Sequence, residues 1–171
     1  MKNNILISFN QGPKVEIQGN IDKEYKIEFI NESTGKVEYF NTIKTNHWTK
    51  CSKRWHMPWT IKINGKTHHT WDIKDKNILI SIESKSIGDT LAWVPQVARF
   101  ADYYKCKVTL STFHNHWFIN KKEYKNIKFI NPGQSVDCYA SYQIGWYITD
   151  NKWDEGSYHP TKPNTIPLIQ A

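Results

Sequence analysis

The fold of this chain is decided by the stretch Asn77-Ile-Leu-Ile-Ser-Ile-Glu-Ser-Lys-Ser-Ile-Gly-Asp-Thr-Leu-Ala-Trp93. Its apolar residues from Ile78 to Ile82 form a run of strand length, which serines, a lysine and a glycine then break. Asp89 follows at the position expected for a helix N-cap, ahead of a segment with helical apolar spacing. Ligands of open α/β sheets bind beside such turns, so Asp89 either caps the helix or removes a proton from a substrate.

The segment from Leu91 to Tyr104 carries apolar residues on one broad helical face, as expected for a helix that covers a sheet. Pro95 predicts either an irregular first turn or a regular helix that starts near Val94. Lys107–Ser111 reads as the next strand and completes a parallel βαβ unit. A further short strand is expected at residues 126–130. Within 139–148, the core Ile144–Ile148 is expected to form either another buried strand or a loop across the sheet.

The first 75 residues show strand alternation instead. Four runs place apolar residues at every second position, around Val15, Ile27, Val37 and Ile61, and predict strands with one wet face. Turns are expected at Asn31–Gly35 and at Asn64–Gly65, the second a type I′ hairpin turn followed by a return strand to Ile73. We expect five or six antiparallel strands in a small sandwich or barrel-like module.

Two aromatic or histidine-rich features lie in this module. The segment His47–Trp59 interleaves tryptophans with cationic residues, and it fits either a tryptophan-rich core under a basic loop or a surface that holds a protein or a sugar. His68 and His69 are neighbours on a strand and face opposite sides, which makes them a poor joint metal site. A solvated histidine pair is the expectation there.

Composition limits the class of protein. The formal net charge is +7, but the lysines are spread along all 171 residues without an arginine cluster or a basic helix, so nucleic acid is not an expected partner. The charge suits an acidic small molecule, an acidic protein partner, or solubility alone. No run of about eighteen apolar residues occurs, so no membrane span is expected. The three cysteines form no CxxC pair, which predicts a reduced, cytoplasmic setting and no metal site.

Polar residues follow both predicted parallel strands. Ser86, Gly88 and Thr90 surround Asp89 with backbone N–H groups and hydroxyls, and a helix N-terminus there favours a phosphate. His114, Asn115 and His116 end the second strand on the same edge, where they either contact a sugar or cap a short helix.

A lone aspartate at such an edge suits a reaction that needs one general base, and not a reaction that needs a pair of carboxylates. The same helix end would keep the pKa of that carboxylate low, so a displaced, partly buried position would suit a base better.

Several stretches of the chain resemble one family. They are Gly12–Ile17, Lys23–Phe29, Trp48–Cys51, Glu83–Trp93, Ser111–Asn115 and Tyr142–Tyr147. In this order they are similar to the bacterial autotransporter O-heptosyltransferases, which are relatives of glycosyltransferase family 9.

This resemblance implies that the chain is the N-terminal portion of a GT-B enzyme. Its fold class would be α+β or α/β. Residues 1–75 would be a β-rich module that holds the acceptor, and residues 76–171 a truncated Rossmann-like half-domain. The enzyme would transfer a heptose from ADP-heptose to serine hydroxyls of an autotransporter adhesin in the cytoplasm. Asp89 would be the catalytic base, with Ser86, Gly88, Thr90, His114 and Asn115 as substrate contacts. The donor is a substrate, so no resident cofactor is implied, and a homo-oligomer is compatible with this interpretation.

Two departures from the family pattern limit the resemblance. The donor-binding half and its cysteine-based metal motif have no counterpart in these residues, so the chain alone is expected to be inactive. His114 stands where a more apolar or aromatic residue is expected. A non-catalytic carbohydrate- or protein-binding module is the alternative function. A small nucleotide-binding regulator is disfavoured, because neither GxGxxG nor a P-loop occurs.

Overall fold

The computed structural model describes residues 2–10, 12–52, 58–144, 148–149 and 152–153. The chain divides into two compact units. The first runs to Asp72 and takes in Tyr139–Ser141, and the second contains Ile73–Cys138 and the chain from Tyr142 onward. It is a mixed α/β protein, with antiparallel pairing of neighbouring strands in the first unit and a parallel βαβ arrangement in the second.

The described part of the first unit contains seven strands of its own. They are β1 (Asn4–Ser8), β2 (Lys14–Gln18), β3 (Glu24–Asn31), β4 (Val37–Lys44), β5 (Trp48–Lys50), β6 (Trp59–Ile63) and β7 (Lys66–His69). The sequence analysis did not assign β1, and its return strand to Ile73 was too long, because β7 ends at His69.

Pairing in this unit follows the apolar alternation. β1, β2 and β5 are adjacent antiparallel strands, and a second sheet has the order β4-β3-β6-β7. The alternating residues Val15, Ile17, Ile27, Phe29 and Ile61 are all fully buried. Burial of one face of each strand therefore forms the core of this unit, and the charged residues between them stay on the other face.

Both predicted turns are confirmed. Gly35 has a φ of 70°, and its N–H donates to the carbonyl of Asn31 at 2.8 Å. Asn64 and Gly65 have φ angles of 51° and 75°. Positive φ at both central residues is the requirement of a type I′ turn, so β6 and β7 form the predicted hairpin.

His69 corrects the expectation of a solvated histidine pair. The two histidines do face opposite sides, since His68 is partly exposed while His69 is 0% exposed. His69 lies opposite Ile61 of β6, a core residue, and this register directs its ring inward. Burial lowers the pKa of His69 to about 4, so the ring is neutral at ordinary pH.

The second unit contains the predicted βαβ unit. Its elements are β8 (Asn77–Ile82), the helix α1 (Ile87–Tyr104), β9 (Lys107–Ser111), β10 (Ile127–Ile130) and β11 (Ala140–Ile144), whose first two residues belong to the first unit. β8 pairs with β9 and β9 with β10, both in parallel. Two short strands, β12 (Ile148–Thr149) and β13 (Lys152–Trp153), pair antiparallel. Residues 145–147, within the region 139–148 for which a prediction was made, lie outside the described residues.

The start of α1 differs from both expectations. Its N-cap is Ser86 and not Asp89, and the helix runs from Ile87 straight through Pro95 to Tyr104. Trp93, Val94 and Val97 are buried on the predicted apolar face. Leu91 was also expected on that face, but it is 49% exposed. Packing of the buried face keeps the helix continuous although a proline inside a helix removes one backbone hydrogen bond.

Candidate active site at the carboxyl ends of two parallel strands

The carboxyl ends of β8 and β9 lie side by side. The two strands pair in register, with Ile80 opposite Leu110 and Ser81 opposite Ser111. The loops that leave them, residues 83–86 and 112–115, therefore start at the same edge. This edge is where ligands bind in open α/β sheets.

His114 ties the two loops together. Its ring Nε2 lies 3.0 Å from the carbonyl oxygen of Lys85. Since a carbonyl only accepts, Nε2 carries the hydrogen, and Nδ1 of the neutral ring is left as an acceptor. The ring also stacks on Trp117 at 5.3 Å between centroids. His114 thus has a fixed orientation at the edge while remaining partly exposed.

Asp89 is the third residue of α1 and is half-buried. Its backbone N–H donates to the Ser86 hydroxyl at 3.4 Å, which is the capping interaction. The capping oxygen therefore belongs to Ser86. The carboxylate of Asp89 makes no hydrogen bond or ion pair with any residue that the structure describes. It is free to accept a proton from a bound group.

The neighbours of Asp89 differ in their access to a ligand. Ser86 and Gly88 are exposed, and a Cβ added at Gly88 would meet only the Ser86 hydroxyl, at 3.7 Å. Thr90 is 0% exposed, and its hydroxyl donates to the Ser86 carbonyl at 3.1 Å. Gly88 thus offers open backbone, whereas Thr90 holds the first turn of the helix.

Asn115 joins the end of β9 to the end of β10. Its Nδ2 donates to the Ile130 carbonyl at 2.7 Å and to Asn131 Oδ1 at 3.1 Å. Its Oδ1 is buried and has no hydrogen-bond partner among the described residues. A buried amide oxygen without a donor is unfavourable, so a donor from a ligand would complete this group.

The structure adds residues that sequence reasoning passed over. Asn131 follows the parallel strand β10 just as Asn115 follows β9, so the strand-end rule could have found it. Gln143 of β11 donates to Glu83 at 2.8 Å. The Gln143–Glu83 bond and the His114–Lys85 contact connect three motifs that are far apart in the sequence. They are Glu83–Trp93, Ser111–Asn115 and the described part of Tyr142–Tyr147.

The tryptophan-rich segment is divided. Trp59 and Cys51 are each 2% exposed and belong to the core, whereas Trp48 is 57% exposed. Residues 53–57 of the segment lie outside the described residues. Trp59 therefore belongs to a core, whereas Trp48 lies at the surface, where binding of a protein or a sugar stays a prediction.

In the part of the chain that the structure describes, no helix is long and apolar enough to cross a membrane. Nor do its histidine, cysteine, aspartate and glutamate side chains form a group of three or more that could hold a metal ion.

Comparison with known proteins finds relatives of one kind, although no family model matches the chain. The chain is 24% identical over 153 residues to the autotransporter heptosyltransferase BAHTCr of Citrobacter rodentium, covering 85% of this chain and 36% of that protein. It is 23% identical to the autotransporter heptosyltransferase TibC of Escherichia coli, with 85% and 37% covered. It is 24% identical to the autotransporter heptosyltransferase Aah of Escherichia coli, with 88% and 40% covered.

Solved structures of TibC share the fold. The crystal structure of this iron-containing dodecameric glycosyltransferase matches with a TM-score of 0.63 and 23% identity, covering 85% of this chain and 39% of TibC. Its complex with ADP-D-beta-D-heptose matches with a TM-score of 0.64 and 22% identity, covering 84% and 38%.

The described residues of this chain offer no cluster that would fit the iron of TibC. The chain spans 36–40% of the length of its curated relatives. Its homologues are autotransporter heptosyltransferases, which confirms the resemblance seen in the sequence motifs.

Proposed function

We propose that this chain forms the acceptor-side part of a GT-B glycosyltransferase, with Asp89 as the catalytic base. The enzyme transfers a heptose, or a similar sugar, from a nucleotide-activated donor to serine hydroxyls of an acceptor protein. The proposal is supported by homologues that are heptosyltransferases and by a related structure that holds ADP-D-beta-D-heptose.

The observation that carries the proposal is the free carboxylate of Asp89. An aspartate that merely caps a helix uses its carboxylate on backbone N–H groups, but here Ser86 does the capping. A charge in the first turn still interacts with the helix dipole, which is worth about 0.3–1 kcal/mol. This interaction uses no hydrogen bond of the carboxylate, so both oxygens remain available to a substrate hydroxyl.

In the proposed reaction the acceptor serine attacks the anomeric carbon of the donor sugar. Asp89 takes the hydroxyl proton as the new carbon–oxygen bond forms, and the bond to the nucleoside diphosphate breaks on the opposite face. The anomeric configuration inverts in this single displacement. The exposed N–H groups at the start of α1 and Lys85 suit the negative charge of the donor phosphates.

His114 and Asn115 would contact the sugar. The unprotonated Nδ1 of His114 can accept from a sugar hydroxyl, and the unpaired Oδ1 of Asn115 needs a donor. Ser86 and Gly88 would meet the ligand directly, while Thr90 would act through the shape of the turn, since its hydroxyl already donates to Ser86.

The remaining parts of the proposal concern the whole protein. The first unit would hold the acceptor protein. A cytoplasmic site of action agrees with three cysteines that are all free thiols. TibC is dodecameric, and self-association of this chain is a corresponding proposal.

The test is a chimera in which these 171 residues replace the matched region of TibC. With ADP-heptose and an autotransporter passenger domain, mass spectrometry of the passenger measures transfer. We expect the chain alone to give no transfer, and Asp89→Asn to lower the chimera's rate by about 10²–10⁴-fold.

Asp102→Asn is the matched control, because Asp102 is an exposed carboxylate on the same helix. It should leave the rate unchanged. A chimera with Asp89→Asn that transfers as fast as its parent would disprove the catalytic assignment.

A further inference from the structure

A cavity lies in the first unit, apart from the candidate active site. Its volume is about 210 Å³. It is lined by Ser8, Asn10, Gly12, Lys14, Trp48 and Lys50. None of these residues belongs to the edge described above, and Trp48 and Lys50 come from the tryptophan-rich segment whose role the sequence left open.

Two lysines face each other in this cavity. Ser8 of β1 lies opposite Lys14 of β2, which lies opposite Lys50 of β5, so the three side chains stand in one row on the same face. Like charges directly opposite each other on neighbouring strands are unfavourable. Glu16 pairs with Lys14 at 2.9 Å, but Lys50 has no carboxylate partner among the described residues. The row therefore keeps a net positive charge that an anion would balance.

An aromatic ring and an unpaired acceptor adjoin these charges. Trp48 is 57% exposed, and the Lys14 ammonium lies 5.1 Å from its ring centroid. The Oδ1 of Asn10 is buried and lacks a hydrogen-bond partner within the described residues. A ligand for this cavity would thus combine an apolar face for the indole, a donor for Asn10 and an anionic group for Lys50.

We propose that this cavity binds one anionic monosaccharide unit, a sugar phosphate or a uronic acid. The pyranose ring presents C–H groups to Trp48, a hydroxyl donates to Asn10 Oδ1, and the phosphate or carboxylate lies against Lys50. Ligand pockets for larger molecules usually hold about 300–1,000 Å³, so this smaller cavity suits one ring and excludes a whole nucleotide sugar. The site stands independently of the proposed transferase reaction.

The test measures binding to the 171-residue chain by isothermal titration calorimetry, with four probes. They are glucose 6-phosphate, glucuronic acid, glucose and inorganic phosphate. At least one anionic sugar should bind ten times more tightly than either glucose or phosphate. Tighter binding of glucose 6-phosphate would identify the anionic group as a phosphate, and tighter binding of glucuronic acid would identify it as a carboxylate. If neither anionic sugar binds more tightly than both glucose and phosphate, or if no probe binds at millimolar concentrations, the proposal is overturned.

Variants assign the binding to this cavity. Lys50→Ala and Trp48→Ala should each weaken binding of the anionic sugar at least tenfold, whereas Lys50→Arg should retain it. Lys44→Ala is the control, because Lys44 is an exposed lysine on another strand of the same unit. Unchanged binding in Lys50→Ala, or tighter binding of an acidic hexapeptide than of either sugar, would contradict the assignment.

A measurement on the unsubstituted chain tests the proposal even if the variants do not fold. In saturation-transfer NMR the ring C–H protons of the bound sugar should receive more saturation than protons far from the ring face. Even saturation of all ligand protons would contradict stacking on Trp48.

Discussion

At the residue scale, His69 is a neutral imidazole enclosed by the core of the first unit. Its ring lies 4.8 Å from that of Phe9 and 5.0 Å from that of Tyr139, measured between centroids. Neither ring nitrogen has a hydrogen-bond partner among the described residues. Burial without a polar partner penalises the charged form, and this desolvation lowers the pKa of His69 to about 4.

This burial predicts a pH-dependent stability. In the unfolded chain the pKa of His69 returns to about 6.5, so between that value and about 4 the unfolded state binds more protons. The free energy of unfolding should therefore fall as the pH is lowered through this window, by about 3 kcal/mol in total from this residue. Urea unfolding at a series of pH values measures the slope.

His69→Phe should remove most of that slope, because a phenyl ring occupies similar space and does not titrate. It should also leave the protein at least as stable at neutral pH, since two unpaired nitrogens disappear. His116→Gln at an exposed position is the control and should keep the slope. A parent-like pH dependence in His69→Phe would mean that other groups cause it.

Gly88 provides a second test at the residue scale. A methyl group there meets only the Ser86 hydroxyl at 3.7 Å, so Gly88→Ala should fold normally and gain up to about 1 kcal/mol from the better helix former. If the proposed donor approaches this backbone closely, the same methyl group should lower transfer by the chimera at least tenfold. Full transfer at normal stability would show that no ligand approaches Gly88.

At the scale of the element, α1 depends on its first turn. The Ser86 hydroxyl accepts from the Asp89 N–H, and the Thr90 hydroxyl donates to the Ser86 carbonyl. These two interactions bring the residues of the proposed site into one turn. At the far end Lys105 adopts a φ of 51°, and the N–H of Cys106 donates to Ala101, which ends the helix sharply.

Ser86→Ala should therefore destabilise the protein by about 0.5–1 kcal/mol, toward the low end for an N-cap because the capping distance of 3.4 Å is long. Ser86→Asn should restore most of this loss, since asparagine also caps. Thermal or urea unfolding measures both. Ser33→Ala removes an exposed hydroxyl in a turn and serves as the control; an equal loss there would argue against a capping effect.

At the scale of the whole molecule, the three cysteines report on both units. Cys51 is 2% exposed in the first unit, and Cys106 is 9% exposed in the second. Burial raises the pKa of Cys106 to about 11 and raises that of Cys138 as well. Because the thiolate is the reactive form, the folded chain should alkylate slowly at all three positions.

Iodoacetamide at pH 8, followed by intact-mass measurement, tests this expectation. The folded protein should react at least tenfold more slowly than the urea-unfolded protein, in which every thiol is exposed. Cys138 should react first in the folded state, since it is only partly buried. Rapid alkylation of Cys106 in the folded protein would contradict the burial described for the second unit.

Local patterns in the sequence predicted a large part of this fold. The alternation around Ile27 and Ile61 and the Asn64–Gly65 pair predicted strands and a turn that the structure confirms. The run from Ile78 to Ile82 and the pattern of Lys107–Ser111 likewise predicted a parallel pair. These features depend on neighbouring residues alone, because period-two burial and positive φ are properties of a short segment.

Other features needed contacts between distant segments. The start of α1 was assigned to Asp89 instead of Ser86, because two serines and an aspartate in one short stretch offer several caps and only the backbone angles select one. Pro95 was expected to disturb the helix, but packing of Trp93 and Val97 keeps it continuous. His69 faces inward because its partner across the hairpin is the core residue Ile61. The strand register decides which of the two adjacent histidines is buried, and the local sequence does not contain that register.

The sequence by itself determined most of the strands, both turns, the presence of the helix and the candidate residues at two strand ends. It did so because hydrophobic period and turn chemistry act over a few residues. The tertiary structure decided that Ser86 frees the Asp89 carboxylate, that His114 bonds to Lys85, and that Lys14, Lys50 and Trp48 line one cavity. Those outcomes depend on strand register and on contacts between residues far apart in the chain, which no local pattern contains.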